Sequence, residues 1–244
     1  MQTVAVVLAG GSGRRFGAGS LKQLRTLAGH TMIEHCVGAF SKAPAVDEVL
    51  VVAAAEIAAQ VRQDLAGHRN IAAVIHGGAT RADSTRQAIS WLVSRRRPAG
   101  HDFKILFHDA ARPLVDQRII ADCVTALDRW RAIGVVVPSS DTIVEVEDDR
   151  IKRVLSRDSL ARCQTPQGFW LSVISRAYEL ADADPGFAAA SATDDCGVVL
   201  RYLPDVPIGT VEGSERNLKI TYPRDLVVAQ SLLDCAADEG PSPT

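Results

Sequence analysis

Residues 4–23 read Val-Ala-Val-Val-Leu-Ala-Gly-Gly-Ser-Gly-Arg-Arg-Phe-Gly-Ala-Gly-Ser-Leu-Lys-Gln. A short, unbroken apolar run bounded by glycines reads as a strand buried on both faces. It passes directly into a glycine-rich loop that carries Arg14 and Arg15, with Lys22 beyond it. Glycines let backbone N–H groups approach phosphate oxygens without a Cβ in the way. The three cations then suit the charge of a triphosphate. Two familiar glycine loops are excluded. The dinucleotide pattern Gly-x-Gly-x-x-Gly fails because Phe16 stands at its third glycine, and no clear acidic residue closes the next strand. The P-loop fails because no Gly-Lys-Ser/Thr follows.

Outward from this loop, apolar runs and amphipathic stretches alternate. Residues 3–8, 49–53, 71–75, 103–107 and 134–137 read as strands. Residues 32–40, 56–65, 82–93, 118–130, 171–180 and 225–233 read as helices, the first with Thr31 and Glu34 as a capping pair. This rhythm predicts an α/β fold: a Rossmann-like, mostly parallel sheet with helices on both faces. It breaks after Pro138. Residues 142–146 and 151–155 alternate around Glu147-Asp148-Asp149-Arg150, which predicts a β-hairpin arm projecting from the domain. Residues 1–235 are expected to form a single domain with the arm at about 139–159, and 236–244 to form a flexible tail.

Composition narrows the function classes. The 244 residues are 47% hydrophobic and carry a net charge of −2, so a packed domain is expected and a general nucleic-acid binder is not. No apolar run approaches the roughly 20 residues of a membrane span, and no charged leader precedes the first strand. The five cysteines, Cys36, Cys123, Cys163, Cys196 and Cys235, are scattered without a Cys-x-x-Cys pair. Reduced thiols in a cytoplasmic protein are expected, and zinc is not.

Three further groups bear chemistry. Gly77-Gly78-Ala79-Thr80-Arg81-Ala82-Asp83-Ser84 places a glycine pair between a strand and a helix, where Asp83 and Ser84 suit helix capping equally well. His108-Asp109-Ala110-Ala111-Arg112-Pro113 ends a strand, and ligands of open α/β sheets sit at such carboxyl ends. Asp109 is placed there to hold Mg²⁺ against phosphates. His108 reads better as a satisfied near-core histidine than as a catalyst, and Arg112 suits pairing with an acidic neighbour. Asp141-Thr142, Arg157, Thr165-Pro166-Gln167 and Asn217-Leu218-Lys219-Ile220-Thr221 together supply cations and hydroxyls for a second phosphate.

These blocks, in this order from about Val4 to Leu233, resemble the 2-C-methyl-D-erythritol 4-phosphate cytidylyltransferase family. Arg81-Ala-Asp-Ser84, Asp109-Ala-Ala-Arg112-Pro113 and Thr165-Pro-Gln167 are the most specific parts. The resemblance implies transfer of CMP from CTP to a small polyol phosphate, with pyrophosphate released and Mg²⁺ as cofactor. It implies that Ala9, Gly10, Gly11 and Gly13 cradle the nucleotide, and that Gly78, Ala79 and the Ser84 hydroxyl line a pyrimidine pocket. Arg15 and Lys22 would stabilise the transferring phosphate, and Asp109 would serve the metal. Lys219 would help hold the acceptor phosphate with Thr142 and Arg157, which lie on an arm that crosses to the partner of a homodimer. Three positions depart from the family pattern. Leu21 replaces a proline, Arg216 stands where an acidic residue often precedes the asparagine, and Cys196-Gly197 replaces Ala-Ser. Two alternatives remain: a cytidylyltransferase for ribitol or ribulose 5-phosphate, and a non-catalytic nucleotide-binding protein on the same fold.

Overall fold

The computed structural model describes residues 1–10, 16, 21–95, 101–187 and 194–238. The opening strand β1 (Thr3–Ala9) is buried along its whole length, as its unbroken apolar run requires. It is an interior strand of a seven-stranded sheet. On one side it pairs in parallel with β4 (Glu48–Ala53), which pairs with β5 (Ile71–His76). On the other side it pairs in parallel with β6 (Lys104–Asp109). Beyond β6 come the antiparallel β10 (Ala161–Trp170), then β7 (Ala132–Pro138) and β11 (Ile208–Glu212), giving the order β11-β7-β10-β6-β1-β4-β5. Two two-residue strands, β2 (Thr26–Leu27) and β3 (His30–Thr31), form a small separate ladder.

Side chains of a strand point alternately to opposite faces, so β1 feeds two cores. Ala5, Val7 and Ala9 meet α1 (Met32–Lys42), α2 (Ala58–Asp64) and α4 (Gln117–Ala126). Val4, Val6 and Leu8 face α3 (Arg81–Ser94), α5 (Leu171–Ala183) and α6 (Asp195–Tyr202). A third, smaller cluster ties Leu27 and Met32 to Ile220 and to Ala229 of α7 (Pro223–Asp238). The α1 and α3 termini carry reciprocal capping boxes, Thr31 with Glu34 and Thr80 with Asp83, which satisfy amides that a helix start leaves open. No described helix is long and apolar enough to cross a membrane.

The expected arm is present as a separate two-stranded ladder, β8 (Val144–Glu147) with β9 (Arg150–Val154). Asp148 and Asp149 turn it with φ of 49° and 59°, the left-handed pair that a two-residue hairpin needs. Besides the short β2–β3 ladder, β10, α6 and β11 were not anticipated. β10 holds Pro166 and the polar Gln164, Thr165 and Gln167, a composition that argues against a central strand. The register slips between Cys163 and Gln167, so the proline sits where the ladder is already interrupted. Helix α4 stops at Ala126, short of the expected residue 130. The last helix runs on to Asp238, into the stretch expected to be tail; residues 239–244 lie outside the described part.

His108 on β6 is fully buried, its ring 5.0 Å from that of Phe40 on α1. Nε2 lies 3.0 Å from the Arg112 carbonyl, so it carries the proton and donates; Nδ1 then accepts from the Thr165 hydroxyl at 3.1 Å. The expected near-core histidine is thus satisfied as the neutral ring. Burial pushes its pKa down from 6.5 to about 4. Between those values the unfolded chain takes up a proton that the folded chain refuses, so acid favours unfolding. Urea unfolding across a pH series is expected to show stability falling between about pH 6.5 and 4, by at most on the order of 3 kcal/mol from this group. The slope in that window should flatten in His108→Gln; an unchanged slope would exclude His108 as its source.

Candidate functional site

The chain leaves β1 for β4 on one side and returns through β6 on the other, so β1 and β6 flank a topological switch point. Leu8 stands opposite Asp109 there, and the Ala110 amide donates to the Leu8 carbonyl at 3.0 Å. The chain therefore passes through Ala9 and Gly10 at the same end of the sheet at which β6 closes with Asp109.

Asp109 is buried, and both of its oxygens meet cations. Arg81 Nε donates to Oδ1 at 3.0 Å and Lys219 Nζ donates to Oδ2 at 2.7 Å. Burial by itself would raise this pKa, but the attraction of Arg81 and Lys219 overrides it and holds the carboxyl well below the usual range. Arg81 in turn donates from Nη1 to Asp195 Oδ2 at 2.8 Å, and the Tyr178 hydroxyl donates to Asp195 Oδ1 at 2.7 Å. The result is an alternating series of charges, Lys219, Asp109, Arg81 and Asp195, drawn from four distant stretches of sequence. Asp195 is fully buried, and the two carboxylates keep Arg81 charged against the cost of its own burial.

Other elements hold this series in place. The Asp109 amide donates to Thr165 Oγ1 at 3.1 Å. The amides of Asp195 and Cys196 donate to Gln167 Oε1, and Gln167 Nε2 donates to Asp194. Arg112 donates to the carbonyls of Asn217 and Cys163, not to the acidic neighbour the sequence suggested. The Ile220 amide donates to the Ala111 carbonyl, so residues 217–221 are stitched to the end of β6 and Lys219 is carried to Asp109. Lys22 Nζ donates to the Ile220 carbonyl at 2.8 Å, which brings the lysine beyond the glycine loop to the same segment.

On the other flank, the loop after β5 packs tightly on the start of α3. A Cβ on Gly10 would lie 2.6 Å from Ser84 Oγ, and one on Gly78 would lie 2.2 Å from Asp83 Cβ. Only glycine allows these backbone approaches. Ser84 Oγ accepts from the Gly78 amide at 3.2 Å and donates to the Thr80 carbonyl at 3.1 Å, so the hydroxyl shapes the loop. Ala79 is exposed on that loop.

Thus Ala9, Gly10, Lys22, Gly78, Ala79, Ser84, Asp109 and Lys219 gather around one end of the sheet. Gly11, Gly13, Arg14 and Arg15 lie outside the described residues. Thr142 and Arg157 are exposed on the arm, where Arg157 Nη1 donates to the Ser140 carbonyl at 3.2 Å; neither meets Lys22, Asp109 or Lys219 within the described chain. Thr165, Gln167 and Asn217 are not free for a second phosphate, because their buried side-chain donors are spent on the protein's own groups. Sequence reasoning gave no role to Arg81 or Asp195. A signal existed for the first: a cation at the opening residue of a helix opposes the helix dipole, so its retention asks for another cause. Among the described residues no group of three or more His, Cys, Asp or Glu is placed to hold a metal.

Comparison with known proteins places the chain among its relatives. The family model described as 2-C-methyl-D-erythritol 4-phosphate cytidylyltransferase matches residues 3–235. A protein of Thermobifida fusca bearing that name is 48% identical over 243 residues, covering 95% of this chain and 93% of the relative. The bifunctional ribulose 5-phosphate reductase/CDP-ribitol pyrophosphorylase of Haemophilus influenzae is 35% identical over 236 residues, and the chain spans 48% of its length. The crystal structure of the Thermus thermophilus 2-C-methyl-D-erythritol 4-phosphate cytidylyltransferase superposes with a TM-score of 0.69 at 27% identity, covering 94% of this chain and 98% of that one. With a family match that spans nearly the whole chain, and a switch-point carboxylate flanked by cations where the sequence motifs led, the chain belongs to the 2-C-methyl-D-erythritol 4-phosphate cytidylyltransferase family.

Proposed function

We propose that the protein transfers CMP from CTP to 2-C-methyl-D-erythritol 4-phosphate and releases pyrophosphate. The observation that carries this reading is the ionised Asp109 at the β1/β6 switch point, opposite Leu8 and bracketed by Arg81 and Lys219. An oxygen of the acceptor phosphate attacks the α-phosphorus of CTP in line. The new P–O bond forms as the bond to the β-phosphate breaks, and pyrophosphate leaves with the electron pair. No covalent intermediate on the protein is required, so the work is positioning and charge stabilisation.

In this reading Ala9, Gly10, Gly11 and Gly13 present amides to the triphosphate, and Gly78, Ala79 and Ser84 form the wall for the base. Arg15 holds the phosphates and Lys22 faces the charge that develops on the α-phosphate. Lys219 has three N–H donors, of which one goes to Asp109, and its side chain is half-exposed toward an acceptor phosphate.

Mg²⁺ fits the residues present. It takes one or two carboxylates and completes its shell with phosphate oxygens and water. Asp109 is a carboxylate kept ionised by its neighbours, and with no further acidic cluster beside it among the described residues the remaining ligands would come from the nucleotide. When bound, the metal would neutralise phosphate charge. A homodimer is supported by the arm, whose Val146, Ile151 and Val154 are each 60% or more exposed. Thr142 and Arg157, exposed on that arm and out of contact with the chain's own Asp109, would then complete the partner's site. A cytoplasmic location is supported by five free thiols.

Turnover of CTP with methylerythritol phosphate, set beside ribitol 5-phosphate and ribulose 5-phosphate, is expected to favour the first. Preference for either pentose-derived acceptor would reassign the substrate. Lys22→Ala is expected to lower kcat by about 10²–10³ with the fold intact by circular dichroism; near-normal turnover would remove Lys22 from the reaction. Chelation by EDTA should abolish turnover, and added Mg²⁺ should restore it. Mixing inactive Lys22→Ala and Arg157→Ala chains should regain activity through heterodimers that hold one intact composite site. Absence of rescue, with subunit exchange demonstrated, would place Arg157 outside the partner's site.

A further inference from the structure

The series of charges beneath Asp109 has a direction. Asp109 and Lys219 face the crevice, whereas Asp195 and Tyr178 lie in the body of the protein, Tyr178 among the α5 and α6 side chains packed on the sheet. Arg81 joins the two. Its Nε meets the carboxylate at the site and its Nη1 meets the carboxylate in the interior. We propose that Arg81 is a positioning residue for the transfer reaction: anchored by Asp195 and Tyr178, it fixes the orientation of the Asp109 carboxylate and joins it to the nucleotide-side loop that opens α3. This inference rests on the nucleotidyl-transfer reading above and adds to it three residues with no other role in the reaction.

Three observations carry it. First, burying an ionised carboxylate such as Asp195 costs several kcal/mol in real proteins, and a well-packed apolar pair is often at least as stable. Stability alone is a poor reason for the arrangement. Second, Arg81 keeps Nη2 shut off from solvent without a hydrogen-bond partner among the described residues, a cost of about 1–3 kcal/mol that a purely structural arginine has no cause to carry. Third, the guanidinium holds its two carboxylates from different nitrogens of one rigid plane, so any shift of Arg81 moves Asp109. An ammonium on a flexible stem supplies the same charge without that plane. Arg81 is also the first residue of α3, one position after the Thr80 cap and three after Gly78, whose amide meets Ser84. The residue that holds the Asp109 carboxylate therefore opens the same helix whose first turn, through Thr80 and Ser84, holds the base-side loop.

The test is a double-mutant cycle between Arg81→Lys and Asp109→Asn, read as kcat and KM for CTP. It is paired with calorimetric CTP affinity measured with and without Mg²⁺. Arg81→Lys is expected to lower kcat about 10- to 100-fold, the usual loss for removing a group that orients a ligand side chain. Its melting temperature should stay within a few degrees of wild type. In the Asp109→Asn background the same change should cost less than about threefold, because the two act as a unit. The Mg²⁺ dependence of CTP affinity should shrink in Arg81→Lys as it does in Asp109→Asn. Equal losses in both backgrounds, full rescue by lysine, or an unchanged Mg²⁺ dependence would overturn the inference. If Arg81→Lys does not fold, the cycle is run with Tyr178→Phe, which keeps the ring and deletes one hydrogen bond to Asp195; a loss of about 3- to 10-fold in kcat, absent in the Asp109→Asn background, is then expected. Wild-type protein inert with CTP and every acceptor would instead defeat the transferase reading, while the calorimetric arm would still report on Arg81.

Discussion

The pairing of one buried carboxylate with two cations governs the architecture of this site. A carboxyl at the end of a central strand is shielded from water on most sides, and desolvation alone would raise its pKa. Arg81 and Lys219 reverse that outcome. Their presence obliges three chain segments far apart in sequence to converge on β6. The loop after β5 must deliver Arg81, residues 217–221 must deliver Lys219, and the start of α6 must supply Asp195 to hold Arg81 in turn. Much of the polar wiring at this end of the sheet follows from that convergence.

The supporting bonds are unequal in kind. Lys219 is held through its backbone: Arg112 grips the Asn217 carbonyl and the Ala111 carbonyl takes the Ile220 amide, leaving a flexible ammonium. Arg81 is held through its side chain, by two carboxylates and behind them a tyrosine hydroxyl. A half-exposed cation and a largely buried one thus share a single anion. That division suits a site in which an incoming polyanion competes for the ammonium while the carboxylate keeps its bearing. Lys22 joins Lys219 at this segment, its ammonium donating to the Ile220 carbonyl.

Much of the fold was legible because local rules and burial agreed. β1 announced itself by an unbroken apolar run, which only a strand covered on both faces needs. Thr31 with Glu34 marked a helix start, and the paired aspartates at 148 and 149 marked a hairpin turn. The strand β10 was not legible. Gln164, Thr165, Pro166 and Gln167 look like a polar turn, and become a buried central strand because each polar group finds a partner: Thr165 the Asp109 amide, Gln167 the amides that open α6. Those partners lie 28 to 56 residues away, beyond the reach of any local pattern. β11 and α6 were missed for a related reason, being short elements whose stability comes from the sheet and from α5.

Chemistry divides the same way. The sequence by itself determined which residues would stand at the strand ends, because glycines, cations and an aspartate placed there are local choices with local causes. It also determined that His108 would be a spent core group and that no dinucleotide fingerprint exists. Only the tertiary structure decided which charge neutralises which. Ion pairs depend on distances of about 3 Å between groups that the chain separates by up to 114 residues, and a linear pattern holds no such distance. Arg81 and Asp195 had no assigned role until folding set Asp109 and Asp195 on either side of the Arg81 guanidinium, and there they became the support for the carboxylate that ends β6.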